Sequence, residues 1–341
     1  MAHLRSVLKY CALTALAVYG WLRIKFTSTP TLIILTYHRI LPAQHSGRQC
    51  EQPGMITSPE ALRRHIRLMK SLGAVPMHLD DWLAKRSSHD KLPKLVVALT
   101  FDDGWQDNYE YGFPILRSES VPATVFLVTG LLDTHQVFWP EQVLKLLTNT
   151  PIDTSRPEFH WLKPYLPPKS SPNSPLTLTE ADSVIDRLKE LDDKTILAHL
   201  SGIPELVAAG ISSGQSRYIL SNAELEEMAH SELVRFGAHT QHHFRLNRIE
   251  LGSTLRDEIV GCLQDLRKFG GTAVPIFCYP NGDITPEGQH LVKSHYQAAC
   301  TTKTGWNPSD RDAFDLHRFN LHDGNSNSAW RLFATLGRGI L

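Results

Sequence analysis

The chain has 341 residues, with 35 Lys+Arg matched by 35 Asp+Glu, 42% apolar residues and 21% charged ones. That length can bury a sizeable core, as one large α/β domain or two smaller ones. The balanced charge supplies no field for a polyanion, so no nucleic-acid partner is expected. The cysteines Cys11, Cys50, Cys262, Cys278 and Cys300 are odd in number and form no CxxC, which argues against a disulfide framework or a zinc knuckle. Cys278 and Cys300 read as small core residues.

Residues 10–22 carry no charge and are flanked by Arg5 and Lys9 on one side and Arg23 and Lys25 on the other. The run is shorter than the roughly 20 apolar residues of a comfortable bilayer span. As a signal peptide it has an apolar centre but a poor cleavage region. An uncleaved anchor, an interfacial helix with Tyr19 and Trp21 at the headgroups, and a helix packed on the domain all remain open. Membrane association is the expectation, without sidedness, because both flanks are basic.

Residues 31–37 (TLIILTY) form a buried strand that delivers His38. Residues 42–54 are a polar loop. Ser58-Pro59 opens a helix as N-cap and first helical residue. Leu62, Ile66 and Met69 share its inner face, Gly73 closes it, and His65 reads as an exposed helix residue. Residues 95–99 are a second buried strand, 106–117 a helix interrupted at Pro114, and 123–128 a third strand. From about 133 to 220 the rhythm breaks. Helix-like 141–147, Pro/Ser-rich 164–175 and helical 179–199 and 204–209 read as an insertion. Ser221 and Glu224 then form a capping box. Strand 233–238, amphipathic helix 255–269, strand 275–279, a helix opened by Thr285-Pro286, strand 297–302 and a last strand 314–321 follow. Such alternation argues for a parallel sheet or a barrel.

Two stretches carry chemistry. The strand at 95–99 runs into Asp102 and Asp103, followed by Gly104. Adjacent ionised carboxylates repel and resist desolvation, a cost that a bound cation or a catalytic task would offset. Asp and Gly are also ordinary turn punctuation. The strand at 233–238 delivers His239-Thr240-Gln241-His242-His243. His239 and His243 lie one helical turn apart, so they can converge on one ion. With one carboxylate they make a two-histidine, one-aspartate site with open positions; alone, the three histidines would suit a solvated loop. His38, Asp102, Asp103, His239 and Asn281 all fall at C-terminal strand ends, which in a (β/α) barrel form the face that carries the active site.

TFDDGW (100–105) resembles the first motif of the polysaccharide deacetylases, the NodB-homology or carbohydrate esterase 4 group, and HTQHH (239–243) resembles their H-[ST]-x-x-H motif. FCYPNGD (277–283) and ILTYHRI (34–40) are similar to the FxYPxG and YHxI segments of the subgroup that deacetylates poly-N-acetylglucosamine. The likeness runs from about residue 32 to about residue 321. It implies an α/β fold, a distorted (β/α)7 barrel; with the readings above, that domain covers 31–341, carries the helical insertion at about 133–220 and follows the apolar segment 1–30. It further implies a hydrolase, dependent on zinc or another divalent cation, that removes N-acetyl groups from an N-acetylated glycan with metal-activated water. Such an enzyme would be membrane-associated or exported.

By the family's pattern, Asp103, His239 and His243 align with the metal ligands and Asp102 with the catalytic base. The backbone N–H of Asn281 aligns with the oxyanion donor, and His242 points elsewhere. Family members take their general acid from a late L-x-H motif. Here Leu316-His317 departs from that form, which favours His38 over His317. Arg318 would orient Asp102 or bind substrate; Tyr279, Trp105 and Trp306 would stack on sugar rings or pack in the core. Two departures bear on substrate more than on metal. The R-x-P-[FY] motif lacks its arginine near Phe277-Cys278, and the fourth motif is echoed only by Gly305-Trp306-Asn307. An esterase or amidase for another acyl group, and a carbohydrate-binding member with an altered site, are the alternatives. A phosphoryl-transfer enzyme would leave the histidines unexplained and lacks a phosphate-cradling glycine loop.

Overall fold

The computed structural model describes residues 2–88, 90–168, 174–204, 206, 218–249 and 252–339. Most of the helix expected at 204–209, and the middle of the Pro/Ser-rich stretch, lie outside these residues. Seven parallel staves form the frame: β1 (Thr31–Tyr37), β2 (Leu95–Phe101), β3 (Ala123–Leu127), β4 (Val234–Ala238), β5 (Ala273–Cys278), β6 (Ala298–Cys300) and β7 (Phe319–Asn320). β1 and β2 pair over their whole length, from Thr31 opposite Leu95 to Tyr37 opposite Phe101. The order then runs β2-β3-β4-β5-β6. The ring closes raggedly: Leu316 bridges Cys300 and Phe319 pairs with Leu35. The last strand is therefore far shorter than the expected 314–321, because that segment changes partners along its length. Ala299 N–H donates to Ala313 O, Thr301 N–H to Leu316 O and Leu321 N–H to Thr36 O. This is a distorted (β/α)7 barrel.

Strand alternation splits the apolar residues between two sides. Leu32, Ile34, Val96, Ala98, Phe126, Ile276, Cys278, Ala298, Cys300 and Leu316 pack together, joined by Trp82. Their neighbours Ile33, Leu35, Tyr37, Val97, Leu99, Phe101, Val125, Leu127 and Phe236 pack in a second cluster that includes helical residues such as Leu62, Ile66 and Leu116. The same alternation places Thr36 beside Thr100, whose hydroxyls bond at 2.9 Å, and continues to His38 and Asp102.

Helix α1 (Ala2–Lys25) lies along the C-terminal part of the chain, and α2 (Pro59–Ser71), capped by Ser58, and α3 (Leu79–Ser87) both lie in the crossover from β1 to β2. Pro114 does not break its helix. It stands in the first turn of α4 (Phe113–Glu119), behind a widened π turn, Asn108–Gly112, where a missing N–H costs little. The insertion brings α5 (Trp139–Asn149), α6 (Leu178–Leu188) and α7 (Asp193–Ser201), so the single helix expected at 179–199 is two. These helices have a core of their own, including Val143, Leu147, Phe159, Val184, Leu188 and Ile196. α8 (Asn222–His230) carries the expected Ser221/Glu224 capping box, α9 (Pro286–His295) precedes β6, and α10 (Ala329–Gly337) ends the fold. α1 and α10 cross at Gly20 and Gly337: a Cβ on Gly20 would lie 2.2 Å from Phe333 O, so only glycine permits the approach.

His65 is wholly buried, contrary to its expected exposure. It accepts from Tyr37 Oη (3.1 Å) through Nδ1 and donates to Ser326 O (2.7 Å) through Nε2. Position 65 shares the stripe of Leu62 and Met69; its polar type concealed that placement.

Candidate metal and active site

A cavity of about 350 Å³ opens at the C-terminal mouth of the barrel. His38, Asp102, Asp103, Trp105, His239, His243, Tyr279, Asn281 and Arg318 all line it. His242, Trp306 and His317 do not. His242 Nδ1 bonds Glu258 Oε1 (2.6 Å). Trp306 is buried, donates to Leu336 O and lies under Arg23, so it packs in the core. His317 faces Asp315 and Arg311.

The loops at this mouth adopt unusual backbone. Among the described residues seven non-glycines have positive φ, and four of them are Asp103 (75°), Thr240 (65°), His243 (61°) and Asn281 (54°). Such conformations cost of order 1–3 kcal/mol each and gather at functional sites. They also explain how His239 and His243 converge. The two are not on a helix, as their spacing suggested; left-handed turns at Thr240 and His243 fold the loop back on itself. Gly104, at φ +76°, continues the left-handed turn begun at Asp103, and a Cβ there would press on Leu127 at 3.0 Å.

Asp103 Oδ1 lies 3.3 Å from His239 Nε2 and 3.4 Å from His243 Nε2. It is buried and accepts no hydrogen bond among the described residues, while Oδ2 accepts from Trp105 Nε1 (2.8 Å). His239 Nδ1 donates to the Cys278 carbonyl (2.7 Å), which turns Nε2 toward Asp103. Burial pushes the His243 pKa down to about 4, so that imidazole is neutral at pH 7. Burial also disfavours charge on His239, but Cys278 and the Asp103 carboxylate outweigh it and raise the His239 pKa well above its ordinary value. Burial opposes ionisation of Asp103, but the surrounding imidazoles outweigh it and hold the carboxyl below its ordinary range. One ligand atom from each of Asp103, His239 and His243 fits within 4.8 Å. Two imidazoles and an unpaired carboxylate oxygen at that spacing are a donor set suited to a divalent cation, whose binding would displace any proton held at His239 Nε2.

Asp102 has a different setting. Oδ1 accepts from Arg318 Nη1 (2.7 Å), and Oδ2 faces His38 Nε2 at 3.8 Å. Burial works against its charge, yet Arg318 and the imidazoles hold its pKa below the usual carboxylate range. Arg318 Nε donates to Thr301 O, so the guanidinium is fixed by the closing stave. Trp105, beyond its contact with Asp103, lies under Arg39 (4.3 Å) and against Phe138 (5.1 Å). Tyr279 is buried, with its hydroxyl unpartnered among the described residues.

Sequence reasoning missed two groups. The Cys278 carbonyl orients His239, and no side-chain motif can announce a main-chain acceptor. Phe138, Trp139, Glu141 and Lys189 from the insertion also line the cavity. Their one sequence signal is an acid within the aromatic run FWPE.

Comparison with known proteins agrees with this architecture. The 1,6-linked poly-N-acetyl-D-glucosamine N-deacetylase of Staphylococcus aureus is 30% identical over 105 residues, 29% of this chain and 36% of that protein. The match therefore spans about a third of the relative's length. The solved Streptococcus pyogenes deacetylase PplD, in complex with acetate, superposes with a TM-score of 0.58 at 17% identity, over 91% of this chain and 99% of that one. IcaB from Ammonifex degensii gives 0.54 at 18%, over 90% and 97%. At those identities the likeness is one of fold. The polysaccharide deacetylase profile matches residues 89–153 and 189–298, more than half of the sequence and both motif loops, and on that match the chain belongs to the polysaccharide deacetylase family.

Proposed function

We propose that this protein is a metal-dependent hydrolase that removes N-acetyl groups from an N-acetylated polysaccharide or glycan. The observation that carries the reading is the buried, unpartnered Asp103 Oδ1 between two imidazole nitrogens. Asp103, His239 and His243 would hold the cation, and zinc suits their chemistry. Once bound it would polarise the acetyl carbonyl and lower the pKa of water from 15.7 towards about 7.

The chain's own groups supply the proton transfers. Asp102, kept ionised by Arg318, takes the proton of the attacking water at Oδ2. The water oxygen bonds to the carbonyl carbon, and the main-chain N–H of Asn281 donates to the resulting oxyanion. His38 gives a proton to the departing nitrogen, the C–N bond breaks, and acetate and a free amine leave. A carbohydrate-binding module would have no use for the separate, arginine-paired Asp102.

The domain organisation follows from the same reading: one catalytic domain over 31–341, with the helical excursion at about 133–220. Residues 5–25 form a helix long and apolar enough to cross a membrane, with a mean hydropathy of 1.3. It buries Ala17, Gly20 and Ile24 and exposes Leu8, Val18, Trp21 and Leu22. This supports α1 as a membrane-associating element; Leu8, Val18 and Leu22 changed to serine should release the protein from sedimenting phospholipid vesicles.

The deciding assay is acetate release from a panel of N-acetylglucosamine oligomers, with zinc and after chelation. Release that stops on chelation and returns with metal is expected. No release from any oligomer, or release indifferent to chelation, would refute the proposal.

A further inference from the structure

Eleven buried side-chain polar atoms have no hydrogen-bond partner among the described residues. Four of them belong to residues that line the barrel-mouth cavity: His38 Nδ1, Asp103 Oδ1, Tyr279 Oη and Glu141 Oε2. Buried polar atoms are nearly always bonded, so each such orphan calls for a ligand or water. His38 and Asp103 are accounted for by the chemistry proposed above. Glu141 is not. It comes from the insertion, in the first turn of α5, and lies in none of the motif segments named above.

Its surroundings are built rather than incidental. Trp139, two residues earlier, donates from Nε1 to Asp193 Oδ1 (2.7 Å). Asp193 is completely buried as an acceptor, and also takes Arg245 Nε (3.0 Å) and Arg245 N (2.7 Å). Arg245 follows the metal-loop histidine His243 by two positions and further bonds the Leu191 carbonyl. Phe138 meets the His243 ring edge-on at 5.1 Å. The first turn of α5 is thus clamped to the second motif loop, which fixes the carboxyl of Glu141 in the cavity wall. Below it lies α6, in the stretch 154–188 that the family profile leaves unmatched.

We propose that Glu141 is a substrate-recognition residue, which hydrogen-bonds a hydroxyl of the sugar unit whose acetamido group is being cleaved. This rests on the deacetylase reading and deepens it. Burial, then the charge of Glu51, push the Glu141 carboxyl well above its ordinary range, which favours the protonated form that can both donate and accept. A neutral acid of this kind pairs with an uncharged hydroxyl without stranding a charge in the wall. The cavity, near the lower end of the roughly 300–1,000 Å³ usual for ligand sites, holds only a small part of a polymer. Selection then falls on the unit at the centre, and Glu141 makes the selection from the part of the wall that the insertion supplies.

The test compares Glu141→Leu and Glu141→Gln with the wild-type full-length protein, loaded with zinc. Each is assayed on N-acetylglucosamine oligomers and on phenyl acetate, which offers the acyl group without sugar hydroxyls. Glu141→Leu should raise KM for the oligomers by roughly 10- to 30-fold, the value of one lost buried hydrogen bond, and lower the oligomer-to-ester ratio of kcat/KM accordingly. Glu141→Gln, neutral and still able to donate and accept, should recover most of that loss. An equal fall on both substrates, or an unchanged oligomer KM, would overturn the role. A loss of zinc-induced thermal stabilisation in Glu141→Leu would overturn it in favour of a part in metal binding. Wild-type protein that releases no acetate from any oligomer would sink the deacetylase reading itself, whereas failure confined to the variants sinks only Glu141.

Discussion

The barrel mouth and the insertion meet at one cavity but are held by different means. At the mouth, His239, Arg318 and Asp102 are fixed by neighbouring staves, the turns beyond them or one another. His239 is tied to Cys278 O at the end of β5, Arg318 to Thr301 O after β6, and Asp102 to Arg318. The insertion has its own apolar core and grips the second motif loop chiefly through the buried carboxylate of Asp193, with the Leu191 carbonyl and the Phe138 ring beside it. The sheet therefore sets the chemistry, and the insertion sets what faces it. Damage at the mouth should abolish turnover in a folded protein. Damage at the tie should cost stability first.

The sharpest contrast lies within the mouth itself. Asp103→Ala should abolish acetate release and remove the cation, read as zinc per chain by elemental analysis. Asp102→Asn should keep the zinc and the fold but lose roughly 10²- to 10⁴-fold in kcat, the usual worth of a general base. If Asp102→Asn lost the metal, or Asp103→Ala kept it, the two carboxylates would have to exchange roles.

How far these roles were legible depends on where the information sits. Asp102, Asp103, His239 and His243 stand in local motifs at strand ends, so residue type, order and spacing marked them as candidates, and all four line the one cavity. Their geometry was less legible. The histidines converge through left-handed Thr240 and His243 rather than through a helical turn, and neither residue type demands that backbone. The last strand was overextended because residues 314–321 are apolar enough for β structure. Only the three-dimensional closure of the ring shows that they divide their bonds between β6 and β1. The clamp between Arg245 and Asp193 joins residues 52 apart. No local pattern reveals a pair at that separation, and for the same reason the insertion was readable as helical but not as a wall of the site.

The clamp gives the next largest effect. Asp193→Ala would leave the Arg245 guanidinium buried without its carboxylate, which costs about 3–5 kcal/mol. Chemical denaturation should show that loss, while zinc affinity falls far less than in Asp103→Ala. Equal losses in both quantities would mean that the insertion shapes the metal site as well as facing it.

The smallest effect lies on the barrel side and separates the pH response of the fold from that of the mouth. His65, under β1, is neutral in the folded protein: burial lowers its pKa from 6.5 to about 4. Unfolded, the same imidazole titrates near 6.5. Between those values the unfolded chain binds more protons than the native one, so stability falls as pH drops from about 6.5 towards 4. At about 1.4 kcal/mol per unit, this one group contributes up to ~3 kcal/mol of that loss. His65→Gln cannot titrate in this range and keeps both a donor and an acceptor for Ser326 O and Tyr37 Oη. The variant should begin less stable at pH 7.5 and lose less on acidification, so the two denaturation curves approach each other as pH falls. Parallel curves would mean that His65 already carries a proton in the folded state, and that the hydroxyl of Tyr37 accepts from it rather than donates.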